Sequence, residues 1–160
     1  MLKKIAVASV IFLVHPMVAL GLGAGGTRVE VEKFFDTYLA AFAARDKELV
    51  AEKYFVAPIY LRTGSEMLLL ESREKVREHL TMVFSALSDQ NYSRTEIVTK
   101  NTCVLTDDVA IVSVALKRYS SEGVVLLESG ASYSIVKLDG IWRISMASVH
   151  TPEAVLSCQK

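Results

Sequence analysis

The sequence predicts an α+β domain in which a curved antiparallel sheet wraps around three N-terminal helices. Three observations lead there: apolar residues at helical spacing between residues 27 and 90, β-branched runs from Tyr92 onward, and tight-turn sequences between those runs. The 160 residues suit one domain, and an apolar fraction of 51% supplies one core.

The first helix is expected to begin at Thr27-Arg28-Val29-Glu30, a capping-box pattern in which a hydroxyl and a carboxylate satisfy the free amides of a helix start. Val31, Phe34, Phe35, Tyr38, Leu39 and Phe42 then recur at helical spacing, building one apolar stripe that ends near Arg45. Asp46 is placed to cap a short second helix carrying Leu49, Val50 and Tyr54. Pro58, which has no amide hydrogen, precludes its continuation. Ile59 to Arg62 and Met67 to Leu70 flank Thr63-Gly64-Ser65-Glu66 and predict a short hairpin. Ser72 offers a cap to a third helix, whose stripe is Val76, Leu80, Val83, Phe84 and Leu87, stopped by Ser88-Asp89-Gln90-Asn91.

Strands are expected over Ile97–Leu105, Val109–Tyr119, Val124–Leu138 and Ile141–Val149. Thr106-Asp107-Asp108, Ser121-Glu122-Gly123 and Asp139-Gly140 separate them, and strands joined by such tight turns run antiparallel. In the second of these strands Ala110, Val112, Val114 and Leu116 are apolar on one face, and Val109, Ile111 and Ala115 on the other. Both faces therefore need a cover, the helices on one side and a second copy of the chain on the other, which predicts a homodimer through the outer sheet face.

Residues 1–26 read as a signal segment: Lys3-Lys4 is a charged start, Ile5 to Val14 an apolar run, and Ala19 to Gly26 a small-residue stretch for cleavage. The alternative is an uncleaved membrane anchor, since apolar character continues to Ala24, near the roughly 20 residues that a spanning helix needs. His15-Pro16 and four glycines interrupt it, which favours cleavage, a periplasmic or secreted domain over 27–150, a tail over 151–160, and no membrane partner thereafter. Acidic and basic residues balance at 18 each, with no Lys/Arg cluster, which excludes nucleic acid as a partner. In an oxidising compartment Cys103 and Cys158 pair and tie down the tail; otherwise Cys103 is a buried thiol and Cys158 a free one. His79 and His150 lie far apart, no Cys/His grouping has metal-ligand spacing, and no cofactor is expected.

The element order, with Tyr38-Leu39-Ala40-Ala41-Phe42 leading to Arg45-Asp46 and a closing Trp142-Arg143-Ile144, resembles the nuclear-transport-factor-like (SnoaL-like) superfamily from Val29 to His150. The resemblance implies a cone-shaped α+β barrel. It also permits a test against ketosteroid isomerase, a member of that superfamily in which an Asp base works with a Tyr and a protonated Asp as donors. Tyr38 falls where the helix-one tyrosine stands. The base position falls near Arg62 or Thr63 and the protonated acid near Ser132, so both acids are missing. Ser145-Met146-Ala147-Ser148-Val149-His150 resembles the final strand, which implies that His150 points into the cone mouth.

The residues expected to line a ligand site are accordingly Tyr38, Tyr60, Arg62, Tyr119, Ser132, Ser134, Met146 and His150. Tyr38 would donate a hydrogen bond into the cone, His150 would act as acid or base, and the serines would present hydroxyls or serve packing. Arg62, Lys117 and Arg118 near the opening would suit an anionic ligand or simply be solvated. Three functions follow: a non-catalytic binder of a small, mostly apolar molecule; a homodimeric interaction module; and an isomerase, cyclase or dehydratase working through Tyr38 and His150.

Overall fold

A computed structural model describes residues 24–158. The elements are α1 (Ala24–Ala43), α2 (Lys47–Leu49, continued by a π-helical turn over Val50–Tyr54), β1 (Phe55–Thr63), β2 (Glu66–Leu70), α3 (Arg73–Asp89), β3 (Tyr92–Val104), β4 (Val109–Ser120), β5 (Val125–Leu138) and β6 (Ile141–His150). A 3-10 turn, Pro152–Ala154, opens the tail. The signal reading falls on residues that lie outside those described, apart from Ala24, Gly25 and Gly26, which begin α1. Among the described residues no helix is long and apolar enough to cross a membrane.

α1 starts three residues earlier than the capping box suggests, and Thr27 and Glu30 have tertiary partners instead of a capping role. The Thr27 hydroxyl donates to Asp107 Oδ1 at 3.4 Å. Glu30 accepts from Lys137 Nζ at 2.7 Å and Trp142 Nε1 at 3.1 Å, which joins α1 to the β5–β6 hairpin. Those two hydrogen bonds hold the Glu30 carboxyl below its ordinary range, so its contribution to stability is present at neutral pH and is lost on acidification. The remaining caps are as expected: Leu49 N donates to Asp46 Oδ1 at 2.9 Å, and Lys75 N to Ser72 Oγ at 3.2 Å. Pro58 does not end α2. The π-helical turn closes at Tyr54, and Pro58 lies inside β1 after a cis Ala57–Pro58 peptide.

The six strands form one sheet in the order β2-β1-β6-β5-β4-β3. All neighbours are antiparallel except β1 and β6, which pair in parallel, so the sheet is mixed. The parallel pair arises because α3 carries the chain from β2 at one edge of the sheet to β3 at the other, and the meander then returns to lay β6 beside β1. Asp139 and Gly140, with φ of 50° and 77°, make the tight β5–β6 turn, whose positive φ values suit these residues.

The core lies between the helices and the concave face of the sheet. Val31, Phe35 and Tyr38 of α1, Val76, Leu80, Phe84 and Leu87 of α3, and Ala110, Val112, Val114 and Leu116 of β4 are all buried. The opposite face of β4 is covered too, in part by the chain's own tail. Asn101 Nδ2 donates to Leu156 O at 2.9 Å, Leu156 N donates to Ser113 Oγ at 3.0 Å, and Cys103 is disulfide-bonded to Cys158.

Candidate functional site

A cavity of about 220 Å³ opens between α3, the C-terminal half of α1 and the concave sheet face. Its walls are Tyr38 and Phe42 from α1, Phe55, Ile59 and Leu61 from β1, Leu70 from β2, and Val76, His79, Leu80 and Val83 from α3. Arg118, Tyr133, Ala147 and Val149 close it from the sheet, and Arg62 and Thr63 stand at its rim. Among the described residues no acidic side chain borders it. Each wall follows from local pattern: α3 turns its apolar stripe inward, while alternation on β4, β5 and β6 aims Arg118, Tyr133, Ala147 and Val149 the same way.

The cavity's floor is an aromatic cluster around Tyr38. Its ring centroid lies 5.8 Å from that of Tyr133, 5.7 Å from Phe55 and 6.1 Å from Phe42, all in tilted or edge-on geometry. Burial pushes the Tyr38 phenol well above its ordinary range; Tyr133 beside it adds to the rise, and Arg118 opposes it. Burial raises the Tyr133 phenol as well, against a hydrogen bond with Tyr38 and the charge of Arg118. Both phenols therefore stay protonated at neutral pH and serve as O–H donors. Burial lowers the His79 imidazole, which leaves it neutral there.

Arg118 is the cavity's most informative charge. Its guanidinium carbon lies 5.8 Å from the Phe42 ring centroid, and its buried Nε has no hydrogen-bond partner among the described residues. Its neighbours are spoken for on the other side of the strand: Lys117 pairs with Glu128 at 2.9 Å, and Arg94 covers the Tyr119 ring at 3.8 Å.

Of the eight residues expected around the ligand, two border the cavity: Tyr38 within it and Arg62 at its rim, where the Arg62 guanidinium donates to Val149 O at 3.3 Å. Tyr60, Ser132, Ser134, Met146 and His150 belong to the outer face, and Tyr119 stacks under Arg94 away from the cavity. The correction is a matter of one residue. Ser132 pairs with Ser113 and Ser148, whereas Tyr133, one step on, pairs with Val112 and Ala147 and faces the core. In a strand a single step reverses the face. Thr63 and Arg62 do reach the rim, as the comparison with ketosteroid isomerase implied, but beside the Ser132 position the residue of β5 that faces the cavity is Tyr133. Tyr38 and His150 lie on opposite sides of the sheet and cannot act on one substrate.

His150 has a structural task instead. Its Nδ1 lies 2.7 Å from Thr151 O and its Nε2 2.9 Å from Ser132 Oγ, which is 2.8 Å from Ser113 Oγ. With the proton on Nδ1, the chain runs head to tail: Leu156 N–H donates to Ser113, Ser113 to Ser132, Ser132 to His150, and His150 to Thr151 O. The ring packs directly on Gly130, which has no Cβ to obstruct it. This chain of hydrogen bonds helps to seat the tail on the sheet.

Sequence reasoning passed over Tyr133 and His79 as cavity residues. Both carried a signal. Tyr133 stands between Ala131 and Ile135 on the apolar side of an alternating strand, and His79 is three residues from Val76 and four from Val83 on the stripe of α3. Among the described residues, no grouping of three or more His, Cys, Asp or Glu side chains is placed to hold a metal ion.

The fold is shared with solved structures of low sequence identity. An NTF2-like protein with a cystatin-like fold from Novosphingobium aromaticivorans superposes with a TM-score of 0.64 at 13% identity, covering 80% of this chain and 83% of that one. Aln2 from Streptomyces gives 0.62 at 17% identity over 78% and 90% of the two chains. A protein of unknown function from the DUF3225 family of Pectobacterium atrosepticum gives 0.61 at 18% identity over 82% and 91%. No curated protein matches the chain. Residues 29–152 match the family described as NTF2-like protein (DUF6841), and the chain belongs to this family of NTF2-like proteins.

Proposed function

We propose that this protein is an exported domain that binds one small, mostly apolar molecule in its cone, without ketosteroid isomerase chemistry. The observation that carries the reading is the cavity itself: about 220 Å³ remains open where Tyr38, Phe42, Leu80 and Tyr133 converge. Apolar walls with a few convergent polar groups are the usual composition of a small-molecule site. A lining without acids among the described residues argues against a proton-shuttling carboxylate.

Ala147 is the point at which to test the reading, because it borders the cavity from β6 and is half-buried, so a larger side chain there fills the space rather than the packed core. Ala147→Phe is expected to lower the affinity for propylbenzene at least tenfold in a calorimetric titration while leaving the cooperative thermal transition in place. Equal binding by the wild type and the filled variant would place the molecule elsewhere and sink the reading.

Export is supported by the N-terminal sequence and by the Cys103–Cys158 pair, a bond that persists in oxidising compartments. A second reading, the homodimer through the outer sheet face, is supported by one specific feature. The tail covers β3 and β4, but Tyr60, Met67, Leu69 and Met146 leave an exposed apolar patch on β1, β2 and β6. Light scattering and intact mass of the exported protein test both together. The expected species is a dimer of chains cleaved after a residue from Ala19 to Gly26; a strict monomer removes the dimer, and an intact N-terminus removes the cleaved signal.

A further inference from the structure

We propose that the cavity selects small organic acids: an apolar body held among the aromatic residues, with one carboxylate paired to Arg118. This rests on the ligand-binding reading above and adds the chemistry of the ligand's head.

A guanidinium is always charged, has five donors and no acceptor, and a buried donor without a partner costs more than a satisfied one gains. Arg118 Nε is buried without any acceptor among the described residues. Nothing in the cavity wall answers it, since the lining holds no Asp or Glu among the described residues. The Phe42 ring at 5.8 Å offers only its π face. What the cavity lacks, a carboxylate brings: two oxygens spaced to accept from two guanidinium N–H groups together.

The other polar groups point to the same ligand. Tyr38 and Tyr133 beside Arg118 keep their protons, and because one phenol donates to the other, one O–H is left over; the inner site thus offers that donor and a cation where an anion would be held. A cationic ligand would face Arg118 at close range with no acid to compensate. A phosphate monoester carries up to two charges and three oxygens, more than one guanidinium and one phenol O–H in an apolar cleft satisfy. Size narrows the class further. A dry engineered cavity of ~150 Å³ accepts benzene, so by proportion this one takes an apolar body of about nine non-hydrogen atoms. A short arylalkanoic or medium-chain alkanoic acid fits that description.

Three probes of matched shape separate the possibilities: 3-phenylpropionate, 3-phenylpropanol and 3-phenylpropylamine, each titrated into the wild type, Arg118→Met and Arg118→Lys at neutral pH, with the thermal transition of each variant recorded. The wild type is expected to bind the acid at least about tenfold more tightly than the alcohol, the margin typical of one hydrogen-bonded ion pair, and the amine most weakly. Arg118→Met is expected to erase the preference for the acid and to leave the alcohol within about twofold of its wild-type affinity. Arg118→Lys should keep part of the preference, because it keeps charge but loses the two-pronged geometry. Equal affinity of the wild type for acid and alcohol overturns the carboxylate inference while the apolar binding reading stands. An equal loss of both ligands in a folded Arg118→Met overturns it too, since Arg118 would then shape the cavity rather than read the head group. Failure of all three probes to bind the wild type overturns the inference and the binding reading together.

Discussion

Replacing Cys103 and Cys158 together by serine is expected to lower stability by about 4 kcal/mol and the thermal midpoint by on the order of 10 °C. The bond closes a loop of 55 residues, and the loop-entropy relation assigns a closure of that size roughly this value. It also determines where the tail lies. Without it, the hydrogen bonds of Leu156 with Ser113 and Asn101, that of His150 with Ser132, and the packing of Pro152–Ala154 on β4 and β5 are left to hold the segment against the outer face of the sheet. Amide exchange at Leu156 should then accelerate alongside the drop in midpoint. Differential scanning with and without reductant, compared with the double-serine variant, checks this. A midpoint that moves by less than about a degree in both would show that the bond and the docked tail contribute nothing to the folded state.

Gly130→Ala is the second large effect expected. A Cβ at this position would fall inside contact distance of the His150 ring and 2.6 Å from the carbonyl oxygen of Thr151, which is backbone and cannot rotate away. The chain would have to displace His150, and with it the hydrogen bonds to Ser132 and Thr151 that anchor the start of the tail. Overpacking of this kind costs roughly 1–3 kcal/mol. The expected result is a lowered midpoint together with loss of the ordered His150 imidazole resonances. Unchanged stability with an unchanged imidazole signal would mean that the ring does not rest on Gly130.

The two faces of the same sheet show what could be read from the chain alone. Helix stripes and caps were legible because they rest on local chemistry: Asp46 and Ser72 cap where expected, and Val31, Phe35, Tyr38, Val76, Leu80 and Phe84 turn inward. The meander was legible for the same reason, since Asp139-Gly140 permits a tight turn. The Thr27–Glu30 box misled because a capping pattern and a tertiary ion pair use the same residues, and only folding reveals that Glu30 meets Lys137 and Trp142. The parallel β1–β6 pair joins residues about ninety positions apart, a distance at which no local signal operates.

The candidate site was less legible, and the cause is periodicity. Resemblance puts Ser132 and the final strand with Met146 and His150 in the cone, and Ser134 follows as the next residue on the face of Ser132, whereas the alternation of Ala131, Tyr133 and Ile135 with the serines turns the hydroxyls away from the core. Register shifts beside Tyr119 and at Ser134–Ile135 then carry the change of phase along neighbouring strands. Arg118 was visible only as one of several cations near an opening. Its distinction, a buried Nε without an acceptor among the described residues, is a property of the assembled cavity. The same holds for the tail, whose cover over Ser113 accounts for part of the second apolar face of β4 that had suggested another subunit.

The central claim, that the cone is an open binding cavity, is tested most directly by a crystal structure of the protein grown with saturating 3-phenylpropionate. The expected density is a single ligand with its ring among Phe42, Tyr133 and Ala147 and its carboxylate at charge-assisted hydrogen-bond distance, about 2.7–2.9 Å, from the Arg118 guanidinium. A cavity closed by its own side chains, with no ligand between α3 and the sheet, would contradict it.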